Sequence, residues 1–210
     1  MAHPYRIFGS EMSPYSVKVR SYFRYKGIPH RWIVRDADAQ AEYAKYAKLP
    51  IVPLVVTPGG EGIQDSTPII EQIEAEHPTP SIHPTDPVSG FVSALLEEFG
   101  DEWGNKWMFH YRWRREIDQK ASAMRLALAM NPALDEAGQT AFAEQIRQRM
   151  VGRVWFVGSS EATAPFIEET FHAALAQLDA LWSEGPKGGP AEPRFNREEL
   201  YGERFSQRQP

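Results

Sequence analysis

The sequence predicts an α/β domain with a mixed four-stranded sheet and flanking helices, followed by an all-α domain. Three observations carry this. Short β-like runs alternate with helical patterns over the first 80 residues, prolines at 78, 80, 84 and 87 interrupt the apolar period, and from Val88 onward apolar residues recur at helical spacing. The expected boundaries are an α/β domain over 1–80, a linker over 81–87, an all-α domain over 88–184 and a tail over 185–210.

Tyr5-Arg6-Ile7-Phe8 reads as the first strand and ends in Gly9-Ser10. A helix follows with signals at both ends: Ser13 as N-cap, Pro14 at the first helical position and Gly27 just past the end. Tyr15, Val19, Tyr22 and Phe23 form its expected apolar face. Arg31 to Val34 reads as a second strand, Gln40 to Lys48 as a short helix, and Ile51 to Val56 as a strongly β-like run. Pro58-Gly59-Gly60 then turns the chain into Gly62-Ile63-Gln64. Ser66 is expected to cap a third helix that carries Ile69, Ile70 and Ile73 and stops at Pro78. The order is βαβα–ββα.

Beyond the linker, helices are expected near 91–115, 116–130, 136–151 and 163–183. The tail from Gly185 is rich in Gly, Pro and charge without a sustained period, the composition of a disordered or loosely docked segment.

Composition bounds the chemistry. The 210 residues contain no cysteine, which excludes disulfides, thiolate nucleophiles and Cys-ligated metals. A net charge of −5 argues against nucleic acid or an anionic membrane as partner. No apolar run approaches the ~18 residues of a membrane span. The N-terminus MAHPYRIFG lacks a basic stretch followed by an apolar core, so a cytoplasmic protein is the expectation. The six histidines show no HxxxH or HxH spacing, and Glu98 with Glu102, one turn apart, reads as a solvated face; no metal is expected. The basic-aromatic run Trp107 to Arg115 is flanked by Glu97, Glu98, Asp101, Glu102 and Glu116, which opposes a nucleic-acid role.

EMSPYS, residues 11–16, has the shape of a dithiol redox motif at a helix start with both sulfurs replaced by the hydroxyls of Ser13 and Ser16. Val52-Pro53 places a proline in a strand-like run, which implies either an edge strand or a cis bond that turns the Val52 backbone outward, able to pair with an extended peptide. Asp65-Ser66 precedes a helix and is either simple capping or, with the helix N-terminus, a site for a carboxylate and an ammonium group. Together these features suit a ligand carrying a thiolate, an extended backbone and an amino acid end, as glutathione does.

On Ser13-Pro14-Tyr15-Ser16, Val52-Pro53 and Asp65-Ser66, the chain resembles the glutathione transferase superfamily, whose first domain is thioredoxin-like and whose second is helical. The family's Glu-Ser pair stands here as Asp65-Ser66. The resemblance implies glutathione as co-substrate rather than a bound cofactor, Ser13 as the group holding the sulfur, and Val52, Pro53, Asp65, Ser66 and Lys48 as glutathione contacts. It also implies conjugation to a small electrophile and a homodimer. The rival is a non-catalytic glutathione-binding or protein-interaction module of the same fold. Tyr15, Trp103, Trp107 and Tyr111 are candidates for a co-substrate wall, or are ordinary core. The family continues past its counterpart of helix 163–183 with further helices, where this chain has Gly185-Pro186-Lys187-Gly188-Gly189. Because 185–210 lacks apolar periodicity, removing it is expected to leave the thermal midpoint nearly unchanged; a large fall on truncation, read by scanning calorimetry, contradicts this.

Overall fold

The computed structural model describes residues 3–184, so the expectation of a disordered tail over 185–210 lies outside the described residues. Four strands, β1 (Tyr5–Gly9), β2 (His30–Val34), β3 (Leu54–Val56) and β4 (Gly62–Gln64), form one sheet in the order β2-β1-β3-β4. β1 and β2 are parallel, joined by helix α1 (Pro14–Tyr25), and the β1–β3 and β3–β4 pairs are antiparallel. Short α2 (Gln40–Tyr43) follows β2, and α3 (Ser66–Glu76) follows β4.

The period of two along the strands divides the core. Ile7, Val55 and Ile63 pack with Val19, Phe23, Ile69 and Ile73 of α1 and α3 on one face of the sheet. Phe8, Leu54 and Val56 pack with Tyr43 and Tyr46 on the other. Gly9 is required where β1 ends: a Cβ there would meet the Trp32 ring at 2.3 Å.

The capping signals of α1 hold. Ser13 Oγ accepts the Ser16 N–H at 3.2 Å, Pro14 opens the helix, and Gly27 takes a left-handed φ of 65° beyond it. Its buried face differs from expectation, with Ser16 fully buried beside Val19, Tyr22 and Phe23 and Tyr15 only half-buried. Ser66 is not a cap. Asp65 is the N-cap residue and makes no side-chain capping bond, while Ser66 is the first helical residue, buried with an Oγ that has no protein partner among the described residues.

The stretch 44–53 is less regular than its composition implies. α2 ends at Tyr43, and the strand expected from Ile51 begins only at Leu54. Side chains have captured the intervening backbone: Gln64 Oε1 accepts the N–H groups of Lys48 and Leu49, and the Tyr43 hydroxyl lies 2.7 and 2.6 Å from the carbonyls of Leu49 and Ile51. Pro53 has no N–H to give a ladder. The Val52–Pro53 bond is cis, as is Thr79–Pro80.

The helical region begins earlier than expected. Asp86 accepts the Ser89 N–H at 2.7 Å and Pro87 opens α4 (Pro87–Phe99). A π-helical segment, Gly100–Gly104, interrupts what reads in sequence as one helix; α5 (Asn105–Arg114), α6 (Glu116–Met130) and α7 (Glu136–Val151) follow, then a 3-10 turn, Val154–Val157, and α8 (Ala164–Glu184). Trp113, Ala123, Ala127 and Ala143 form the core of α5–α7, the small alanines allowing close approach. Residues up to Pro165 form one compact unit; Phe166 onward forms another, described as far as the end of α8, which exposes Phe166, Leu175, Leu178 and Leu181.

A buried charge joins α1, α3 and the linker. Glu74, 5% exposed, lies 2.9 Å from Lys26 Nζ, accepts the Tyr22 hydroxyl at 2.7 Å and accepts the Ile82 N–H at 3.1 Å. Lys26 also donates to the Pro80 carbonyl. Burial by itself raises the Glu74 pKa, but the bonds from Lys26, Tyr22 and Ile82 outweigh it and hold the carboxyl below its usual value. The carboxylate's contribution to stability is therefore complete above the ordinary glutamate range and is lost as pH falls through the lowered folded value. Glu74→Ala, which strands the Lys26 cation, is expected to cost ~3–5 kcal/mol in urea unfolding, and an unchanged midpoint refutes that assignment.

Candidate functional site

The site is built where α1, the irregular 48–53 stretch, the start of α3 and the helices α4–α6 meet. One cleft of about 670 Å³ is lined by Ser13, Met12, Arg35 and Val52 from the α/β part and by Leu126 and Met130 of α6, with Met150 of α7. A second, of about 620 Å³, is lined by Tyr15, Arg35, Val52, Asp65, Glu98 and Glu102 among others. The two share Arg35, Pro50 and Val52, so they are adjoining halves of one cleft around Val52.

Each wall is held in place by identifiable contacts. Gln64 and Tyr43 fix the backbone up to Ile51, leaving the Val52 N–H and C=O without a backbone partner among the described residues. Asp65 has a φ of 76°, a left-handed conformation that costs a non-glycine residue about 1–3 kcal/mol. Its carboxylate makes no hydrogen bond or ion pair among the described residues, so a strained backbone presents an unpaired charge to the cleft. From the helical side, Ala37 N–H donates to the Met130 carbonyl at 3.1 Å, which seats the end of α6 against the stretch after β2.

Lys18 ties α1 to the helical region, donating to Glu97 at 2.5 Å and to Asp101 at 2.7 Å, and Thr67 of α3 donates to Glu97 at 2.7 Å. The Tyr15 hydroxyl donates to the Asp101 carbonyl at 2.8 Å. Burial first, then the nearby Asp101, Glu102 and Asp65 charges, push the Tyr15 phenol above its ordinary pKa. A phenol so committed is poorly suited to stabilise another anion. The Ser13 oxygen, by contrast, accepts from Ser16 N–H and keeps its own proton to donate.

The structure brings together Ser13, Val52, Tyr15 and Asp65. Pro53 is buried beneath the cleft, and Ser66 is buried at the start of α3. Lys48 is exposed and lines a different depression, shared with Asp65 and Gln64. Trp103, Trp107 and Tyr111 are not among the lining residues of either half of the cleft. Trp103 stands 53% exposed in the π-helical segment and Trp107 packs edge-on against Phe99 at 5.5 Å. Sequence reasoning missed Arg35, the one cation lining the cleft among the described residues, and the apolar set Leu126, Ala129, Met130 and Met150. Leu126 and Met130 are one turn apart on α6, a helical spacing that was readable, but nothing local reveals what they face. Among the described residues, no group of three or more His, Asp or Glu is arranged to hold a metal ion, and no helix is long and apolar enough to cross a membrane.

Residues 7–81 match the family model described as glutathione S-transferase, N-terminal domain. The match lies within the first domain of this chain. No curated protein matches the chain. Among solved structures, a beta-etherase from Sphingobium sp. strain SYK-6 superposes with a TM-score of 0.61 at 18% identity over 87% of this chain and 74% of that one, a likeness of fold. A glutathione S-transferase from Methylobacterium radiotolerans, solved with glutathione sulfonate, matches at a TM-score of 0.38 with 22% identity over 70% of this chain, and one from Methylobacillus flagellatus, solved with glutathione, at 0.42 with 20% identity over 71%. The chain spans 62% and 66% of the lengths of these two transferases.

Lys18 bridges α1 to α4 and the first turn of the π-helical segment, so the first domain's position against α4 depends on it. Lys18→Met is expected to lower the unfolding free energy by ~1.5–3 kcal/mol, the value of hydrogen bonds to charged groups, and to accelerate amide exchange over Gly100–Gly104. Urea unfolding and hydrogen exchange that match the parent would show the bridge to be dispensable.

Proposed function

We propose that the protein is a glutathione transferase-like enzyme that joins the glutathione sulfur to a small electrophile. The carrying observation is that Ser13, Val52 and Asp65 surround one cleft, with a free hydroxyl proton, an unpaired peptide group and an unpaired carboxylate respectively. In this reading Asp65 and the start of α3 hold the γ-glutamyl end, Val52 pairs with the cysteinyl backbone, and Arg35 takes the glycine carboxylate. Arg35 is favoured over Lys48 because it lines the cleft at Val52 and is already oriented, stacked 4.2 Å over Tyr43 and bonded to the Pro50 carbonyl at 2.9 Å.

The sulfur then lies at the N-terminus of α1, where the Ser13 hydroxyl donates to the thiolate and the helix dipole favours negative charge. The thiol proton leaves to solvent, and the sulfur lone pair forms the new S–C bond as the electrophile's leaving group departs or its double bond is saturated. Met12, Leu126, Ala129, Met130 and Met150 supply an apolar compartment beside Ser13, suited to an uncharged electrophile; flexible methionines accommodate varied shapes. Exposed Val88, Phe91, Val92, Leu95 and Leu96 on α4, which buries none of its residues, support the homodimer in this reading. The cytoplasm remains its expected setting.

The test is glutathione binding by calorimetry together with conjugation kinetics over a panel of electrophiles. Ser13→Ala is expected to raise the bound thiol's pKa by about one unit, slowing conjugation ~10-fold below that pKa with little change in affinity. Asp65→Ala is expected to weaken glutathione binding ~10-fold or more, the loss of a charge-assisted contact. Binding without turnover on any electrophile favours the non-catalytic module, and no binding refutes both readings.

A further inference from the structure

Arg112 is a cation in a costly position. It lies in the last turn of α5, half-buried, and burial pulls its pKa below the ordinary guanidinium value. Its hydrogen bond among the described residues is to the Met12 carbonyl at 2.8 Å, and no ion pair with a carboxylate accompanies it there. That carbonyl belongs to the peptide bond that ends at the Ser13 nitrogen. The guanidinium nitrogen therefore lies within about 5.4 Å of the Ser13 nitrogen, because only a C=O and a C–N bond separate them.

Ser13 is the N-cap of α1, and a helix N-terminus already carries partial positive charge. A second positive group there is unfavourable until an anion joins it. Two neighbouring carboxylates are engaged by cations: Glu11, on the same loop, pairs with Arg20 at 2.5 and 3.0 Å, and Asp101 is held by Lys18. Asp36, beyond the end of β2, accepts the Ala39 N–H at 2.9 Å and lines the cleft. Arg35 adds a further cation to the same cleft, and Asp65 faces its other half.

We propose that Arg112 is a positioning residue for thiolate formation, fixing the Met12–Ser13 loop and adding its positive potential to the sulfur position that Ser13 caps. The inference rests on the glutathione reading and extends it, since it makes the helical region a contributor to sulfur activation. No proton moves to Arg112; the thiol proton goes to solvent, and the guanidinium lowers the free energy of the anion left behind.

The experiment uses the full chain and reads two quantities: ionisation of bound glutathione by ultraviolet absorbance against pH, and calorimetric affinity for glutathione and for S-methylglutathione, which has no ionisable thiol. Arg112→Met is expected to raise the bound thiol's pKa by about one unit, a ~10-fold loss of thiolate below it, while S-methylglutathione affinity is unchanged. Arg112→Lys, which keeps the charge, is expected to restore most of the shift. A parent-like ionisation profile in Arg112→Met, or equal weakening of both ligands, overturns the proposal. Where Arg112→Met does not fold, Ser13→Ala decides: its bound thiol must still ionise below free glutathione, and a thiol that titrates as the free tripeptide overturns the role of Arg112. Failure of the parent to bind glutathione overturns the reading beneath, and this one with it.

Discussion

A carboxylate taken out of water must be paired and hydrogen-bonded to remain charged, and Glu74 shows what that requirement organises. Its two oxygens engage Lys26 and Tyr22 of α1 and the backbone of Ile82, while Lys26 continues to the Pro80 carbonyl. α1, α3 and the linker are thereby tied to one ion pair. α1 is fixed relative to α3, so the N-termini of both helices keep their positions at the same end of the sheet. The linker is fixed relative to α1, so the chain enters α4 from a defined point. A second anchor lies beside it, where the Tyr5 hydroxyl donates to Glu76 at 2.9 Å; burial and that carboxylate push the phenol up to about 12.

At the opposite end of α1 the contacts are with the helical region. Lys18 reaches Glu97 and Asp101, Tyr15 reaches the Asp101 carbonyl, and Arg112 reaches the Met12 carbonyl. The π-helical segment Gly100–Gly104 lies where two of these converge, on Asp101. These bonds make the cleft a joint product of the two kinds of architecture. The α/β part supplies hydroxyl, peptide, carboxylate and the Arg35 cation; the helices supply the apolar wall.

In the proposed reaction hydroxyls suffice where a related arrangement of residues would use thiols. A protein without cysteine cannot carry a disulfide intermediate, so in that proposal the sulfur comes with the ligand. The protein's proposed part is electrostatic: a hydrogen bond from Ser13, the dipole of α1 and a nearby cation would favour the anion without a covalent bond to it.

The caps and turns were legible in the sequence because they are local. Ser13, Pro14 and Gly27 delimit α1 through side-chain capping, a fixed φ and a left-handed φ, each decided within a few residues. Strand periodicity, with Ser13-Pro14, Val52-Pro53 and Asp65-Ser66, was enough to indicate the first domain's likeness to the transferase N-terminal domain. Local signals also misled. Asp65-Ser66 reads as a serine cap, but the left-handed backbone moves the cap to Asp65 and buries Ser66. Ile51 to Pro53 reads as strand until Tyr43 and Gln64 both claim the Ile51 carbonyl. Trp103 and Trp107 read as one stripe, either wall or core, yet the π-helical turn between Phe99 and Asn105 changes the helical phase on which that stripe depends. The placements of Arg35, Met130 and Arg112 were decided only in three dimensions. Arg112 meets a carbonyl 100 residues away, and no periodicity or propensity records a contact whose energy exists only once the chain has folded.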